Sequence, residues 1–128
     1  MKYLGLDYGT KRVGLAVSDP GGSFAFPKMT LPNDKMLIGD LKAFIKKEGV
    51  EALVVGESRN FAGVDNPVMR DVRWFVAELA RDTGLPVYLE PEWYSTAEAR
   101  MLAGRDGAVD AEAAAIILKS YLDRTKTA

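Results

Sequence analysis

The sequence predicts an α/β fold built on a mixed sheet. Three strand-like segments follow one another at the start of the chain, and helix-like and strand-like segments then alternate to its end. The length, 128 residues, is that of one domain spanning 1–128. A chain of this size buries roughly two-thirds of its unfolded surface and needs no cross-links.

Tyr3 to Leu6 and Val13 to Val17 are apolar runs flanking Tyr8-Gly9-Thr10-Lys11-Arg12, the pattern of a β-hairpin. Gly9 can take positive φ, which lets the chain reverse sharply beside Asp7. Gly5 and Gly14 leave room for another backbone or a ligand to approach. Asp7 stands where an apolar residue belongs. It reads either as an Asx residue bonding the turn or as a functional carboxylate. Pro20-Gly21-Gly22 is a turn. Ser23 to Leu31 carries Phe24, Phe26 and Met29 and is broken by Pro27, which suits an edge strand because proline cannot donate to a ladder.

Asn33 or Asp34 is placed to cap a first helix, on which Leu37, Leu41, Phe44 and Ile45 recur and which Gly49 ends. Ala52 to Val55, before Gly56, is a short continuous apolar run, the signature of a buried parallel strand. Glu57 to Asn66 reads as an exposed polar loop. Asn66-Pro67 opens a second helix with the stripe Val68, Val72, Phe75, Val76 and Leu79, ended by Gly84. Leu85 to Leu89 is the next strand. Ser95-Thr96-Ala97-Glu98 matches a capping box and opens a short helix to about Ala103. After a loop from Gly104 to Val109, Asp110 caps the last helix, whose Ala113, Ala114, Ile117, Leu118, Tyr121 and Leu122 form a close-packing face. The two later strands should run parallel to the first through right-handed crossovers. In such sheets the working site lies beyond the carboxyl ends of the parallel strands.

The chain has no cysteine and no histidine, which excludes disulfides, thiolate and imidazole metal sites, and the Ser-His-Asp triad. Chemistry is left to carboxylates, amines, hydroxyls and a recruited cation, and oxygen ligands prefer Mg²⁺, Mn²⁺ or Ca²⁺. The net charge of −1 gives no general polyanion signal, so a nucleic-acid surface must be a local patch. No signal peptide or apolar run of membrane length is seen, and a soluble, cytoplasmic protein without membrane contact is expected.

Five acids stand where parallel strands end or a helix begins: Asp7, Glu57, Glu90, Glu92 and Asp110. Three converging carboxylates repel one another unless a divalent cation neutralises them, so the set points to a Mg²⁺ or Mn²⁺ site for phosphodiester cleavage. Each acid also has a plainer role: Asp110 as a helix cap, Glu92 as a solvated loop acid, Glu57 and Glu90 as surface or supporting residues.

LGLDYGTKRVGLAVSD (4–19) closely resembles the opening of the YqgF/RuvX family. The likeness continues through VEALVVG (50–56), Asn60 with Gly63, LPVYLEPEWYSTAEA (85–99) and VDAEAAAIILKSYL (109–122), nearly the whole chain in the family's order. The resemblance implies an RNase H-like α/β fold, a five-stranded mixed sheet ordered 3-2-1-4-5, strand 2 antiparallel, flanked by helices. It also implies a metal-dependent nuclease, associated with pre-16S rRNA end processing and with Holliday-junction-resolvase-like activity. Carried over by motif position, the catalytic and metal-binding acids are Asp7, Glu92 and Asp110. In PEWYST, Pro91, Trp93 and Ser95 replace the family's Asp, Arg and first Thr, which removes a fixed cation. Glu57-Ser58 stands where the family usually has an apolar residue and proline.

Lys11 and Arg12 in the hairpin turn, Arg59 in the polar loop, and Arg70 and Arg73 on one helix face are candidate nucleic-acid contacts. The last two also suit an ordinary solvated face. Trp93 can stack on an unpaired base or anchor its own segment. The resemblance implies RNA or branched DNA as partner, and a monomer or homodimer is expected. Two other readings compete: a nucleic-acid-binding protein with weak or lost cleavage, and an actin-like nucleotide-binding domain, suggested by Asp-x-Gly-Thr before an apolar strand.

Overall fold

Alternating apolar residues on either side of a short polar turn produce the predicted hairpin. β1 (Tyr3–Tyr8) pairs antiparallel with β2 (Arg12–Ser18), and Asp7 lies opposite Gly14. The computed structural model describes residues 1–9, 11–58, 67–92 and 107–126, apart from the side chains of 57, 58, 67–71, 92, 107–109 and 126. β3 (Ala25–Pro32) pairs with β2 alone and is an edge strand. Its register slips between Leu15 and Ala16, leaving Lys28 unpaired beside Pro27. α1 (Leu37–Glu48) leads to β4 (Ala52–Ser58), then α2 (Pro67–Thr83), β5 (Val87–Glu92) and α3 (Gly107–Lys126). The sheet order is β3-β2-β1-β4-β5, with β4 parallel to β1 and β5 parallel to β4.

Strand alternation gives the sheet two apolar faces. Leu4, Leu6, Val13, Leu15, Val17, Leu53 and Val55 point to one, where Leu37, Leu41 and Ile45 of α1 and Val72, Phe75 and Leu79 of α2 cover them. Ala16 and Val54 point to the other, under Ala114, Ile117, Leu118, Tyr121 and Leu122 of α3. Burying each large aliphatic side chain in these clusters is worth about 1.5–3 kcal/mol.

Several boundaries differ from the sequence reading. Gly9 is not at positive φ; a Cβ there would lie 2.7 Å from the Arg12 carbonyl oxygen, so the position is closed by crowding rather than by handedness. The N-cap of α1 is Met36, not Asn33 or Asp34. The Asp34 carboxylate instead accepts from the Met36 amide at 2.9 Å, one turn before the helix. Glu57 and Ser58 belong to β4 rather than to a loop, because β5 runs on beside them, pairing Glu57 with Pro91 and Ser58 with Glu92. Glu90 and Glu92 therefore lie within β5, not after it. α3 begins at Gly107, so Asp110 sits in its first turn and is not its cap. The remainder of the polar loop and the predicted helix from 95 to 103 fall outside the described residues.

Gly5 and Gly14 do admit a backbone, that of α3. A Cβ on Gly5 would lie 2.7 Å from Leu118 Cβ and 2.9 Å from the Ala114 carbonyl oxygen. A Cβ on Gly14 would collide with the Asp110 carbonyl and lie 2.9 Å from the Ala111 amide nitrogen. Gly14→Ala is therefore expected to lower unfolding free energy by at least about 2 kcal/mol, since backbone cannot rotate aside as a side chain does. Urea titration against the parent checks this, and an unchanged midpoint would mean that α3 does not sit where described.

Candidate active site

Asp7 is the penultimate residue of β1, at its carboxyl end, and faces α3. The seating of α3 on Gly14, the register partner of Asp7, brings Asp110 to the same place. The two carboxylates feel each other: burial first, and the negative charge of Asp110 second, push the Asp7 carboxyl up to about 6. No described residue donates a hydrogen bond to Asp7. Asp110 is balanced differently, with its Oδ2 2.7 Å from Arg12 Nε. Arg12 thus reaches from the start of β2 to an acid nearly the whole chain away, and its side chain stays 46% exposed.

Of the other predicted site residues, Glu92 is the last residue of β5, two positions past Glu90, and its side chain lies outside the described residues. So do the side chain of Arg70 in α2, and Arg59 and Trp93 altogether. Lys11 is exposed in the hairpin turn, and Arg73 is exposed on α2. Among the described residues no cluster of three acids that would hold a metal ion is formed. The two acids that do meet offer only oxygen ligands, and one of them has no hydrogen-bond donor among the described residues, which fits a hard divalent cation.

Glu90 is removed from the candidate set. It is 4% exposed, accepts from Ser120 Oγ at 2.8 Å, and pairs with Arg124 Nη2 at 2.5 Å. Its charge is spent fastening α3 to β5. The sequence reading also missed Asn33, whose side-chain amide donates to the Gly9 carbonyl at 2.7 Å while its backbone N–H donates to Lys11 at 2.9 Å. Asn33 braces the hairpin turn beside Asp7. An asparagine between two elements signals such a clamp, but which carbonyl it takes is not written locally.

A five-stranded sheet in this order, its second strand antiparallel and helices on both faces, is the RNase H-like fold. Solved structures agree. The chain aligns with T. thermophilus RuvC in complex with a Holliday junction substrate at TM-score 0.62 and 21% identity, over 98% of this chain and 96% of that one. The fowlpox virus Holliday junction resolvase aligns at TM-score 0.58 and 13% identity, over 97% and 99%. A family model described as "RuvX: Holliday junction resolvase" matches residues 1–124, and the chain belongs to that family. A relative from Nitratidesulfovibrio vulgaris (strain DSM 19637 / Miyazaki F), named "Putative pre-16S rRNA nuclease", is 45% identical over 96% of this chain and 94% of its own. One of the same name from Moorella thermoacetica is 38% identical over 97% and 96%.

The raised Asp7 carboxyl has a consequence for stability in metal-free protein. Above pH 6 Asp7 is charged in folded and unfolded chains alike, and only the folded one bears the cost of burial. As pH falls from about 6 toward 3.8 the folded chain takes up the proton first, so this group favours folding increasingly across that window. Asp7→Asn is expected to be more stable than the parent by about 2 kcal/mol at pH 7, allowing for partial solvent screening. The difference should vanish near pH 4. Urea unfolding at both pH values in EDTA checks it; a destabilised Asn variant at pH 7 would make Asp7 a structural turn residue.

Proposed function

We propose that this chain is a divalent-metal-dependent nuclease that hydrolyses phosphodiester bonds in structured nucleic acid. The juxtaposition of Asp7 with Asp110, uncompensated at Asp7, is the observation that carries this reading. Asp7 and Asp110, with Glu92 as third acid, would hold Mg²⁺ or Mn²⁺. When bound, such an ion supplies charge stabilisation to the phosphate under attack.

The chain's own residues account for the rest. Asp7 must be ionised to hold a cation, and its proton leaves near pH 6, so the site is ready at neutral pH. Arg12 neutralises Asp110. Its half-exposed guanidinium would also reach a substrate phosphate, where its planar fork binds two oxygens at once. Lys11, next to it in the turn, adds a second positive charge. Arg59, Arg70, Arg73 and Trp93 are the further proposed contacts. The names of the full-length relatives support precursor rRNA as the first substrate to try, and the family description supports four-way DNA junctions as the second. Residues 1–128 act in this reading as one RNase H-like domain. Replacement of the family's arginine by Trp93 favours a second reading, binding with lost cleavage.

Cleavage of structured RNA and of four-way junctions is expected with Mg²⁺ or Mn²⁺ and not in excess EDTA. Asp7→Asn should lower it at least about a hundredfold while metal-free nucleic-acid binding persists, because Lys11 and Arg12 are untouched. Gel-based cleavage and filter binding on the same preparations decide. Full cleavage by a folded Asp7→Asn protein would sink the assignment, and binding without cleavage by the parent would establish the second reading.

A further inference from the structure

An open cavity of about 260 Å³ lies on the face of the sheet opposite α3, at the same end as the acids. Tyr8, which follows Asp7 in β1 and so points the other way, forms part of its wall. Asn33, Asp34 and Lys35 border it from the β3–α1 junction, and Trp74, Phe75 and Glu78 from α2. The Tyr8 and Phe75 rings sit 4.7 Å apart and are half or fully buried, so that wall is fixed. Trp74 is not part of any core cluster. It is 77% exposed, while its helix neighbours Val72, Phe75 and Leu79 are buried. A tryptophan held at the mouth of a cavity and left to water is a stacking surface without an occupant.

The polar groups narrow the occupant. Asn33 and Asp34 are engaged with the Gly9 carbonyl and the Met36 amide. Lys35 and Glu78 have no hydrogen-bond or ion partner among the described residues. One cation and one carboxylate beside an aromatic face suit a planar ring that carries an amino donor and is joined to a phosphate. The volume lies below the roughly 300–1,000 Å³ of pockets for larger ligands, and suits one such ring. We propose that this cavity receives a single unpaired, amino-bearing nucleobase of the substrate strand. The base stacks on Trp74, Glu78 accepts from its exocyclic amino group, and Lys35 faces the adjoining phosphate. The inference rests on the nuclease reading and adds to it a preference for cytosine, adenine or guanine over uracil at one unpaired position.

Trp74 and Trp93 are the two tryptophans of the chain, so the difference in fluorescence between the parent and Trp74→Phe reports Trp74 with Trp93 left in place. The probes are RNA hairpins with unpaired cytidine or uridine loops, and free cytidine, all titrated in EDTA to prevent cleavage. The cytidine-loop hairpin is expected to quench Trp74 and to bind more tightly than the uridine-loop hairpin. Trp74→Ala should weaken it at least about fivefold, and Glu78→Gln should erase the preference between loops. Free cytidine should bind far more weakly than the hairpin. Hairpin binding with unchanged Trp74 fluorescence, or with unchanged affinity in Trp74→Ala, overturns the inference and leaves the nuclease reading standing. Free cytidine binding as tightly as the hairpin overturns it too, since the pocket would then serve a nucleoside. Failure to bind any nucleic acid overturns both.

Discussion

The descent of α3 onto the hairpin is the contact on which the site depends. A helix whose inner face is rich in alanine buries little area per residue. It gains attraction only by coming close, since dispersion fades within an ångström of the optimum. Gly5, Gly14 and Ala16 permit that approach by presenting almost no side chain. The helix is then tied at both ends, by Arg12 to Asp110 and by Glu90 to Ser120 and Arg124. Its first turn cannot shift without moving Asp110 away from Asp7. Packing between backbones thus sets the distance between two charges.

Two carboxylates facing α3 illustrate how differently a fold treats an acid. Glu90 is the more deeply buried, yet a guanidinium and a hydroxyl complete its environment, and it behaves as a structural pin. Asp7 keeps more solvent but meets a like charge and, among the described residues, no donor, so burial and that charge oppose its ionised form. A fold selected for stability alone would use Asn at that position. Where local rules are broken without local compensation, function is the usual reason.

Much of this arrangement was legible in the sequence. The hairpin, the parallel strands and the glycine stops of α1 and α2 follow from apolar period and punctuation, which are local; the strand order came with the family resemblance. Asp7 and Asp110 were recognisable as residues out of place or at an element's start. What was not legible is long-range. Whether β4 ends at Val55 or Ser58 depends on how far β5 accompanies it, and whether Glu90 is a ligand or a pin depends on Arg124. That Arg12 also pairs with Asp110 was not legible, because the two are remote in the chain. Asn33 looked like a cap because caps and clamps use the same residue type, and only the fold says which carbonyl is near.

The position of α3 in the chain order has a kinetic meaning. Asp7 leaves the ribosome about a hundred residues before Asp110, which follows only after all five strands of the sheet. Domains acquire structure as they emerge, so the sheet can assemble while its Gly5–Gly14–Ala16 surface still lies bare. A nascent or prematurely stopped chain lacking α3 has Asp7 without Asp110 beside it, and a bare glycine-and-alanine groove. It is a target for chaperones and proteases rather than a hydrolase. Completing the sheet and arming the site are separate events, and the second waits for the helix.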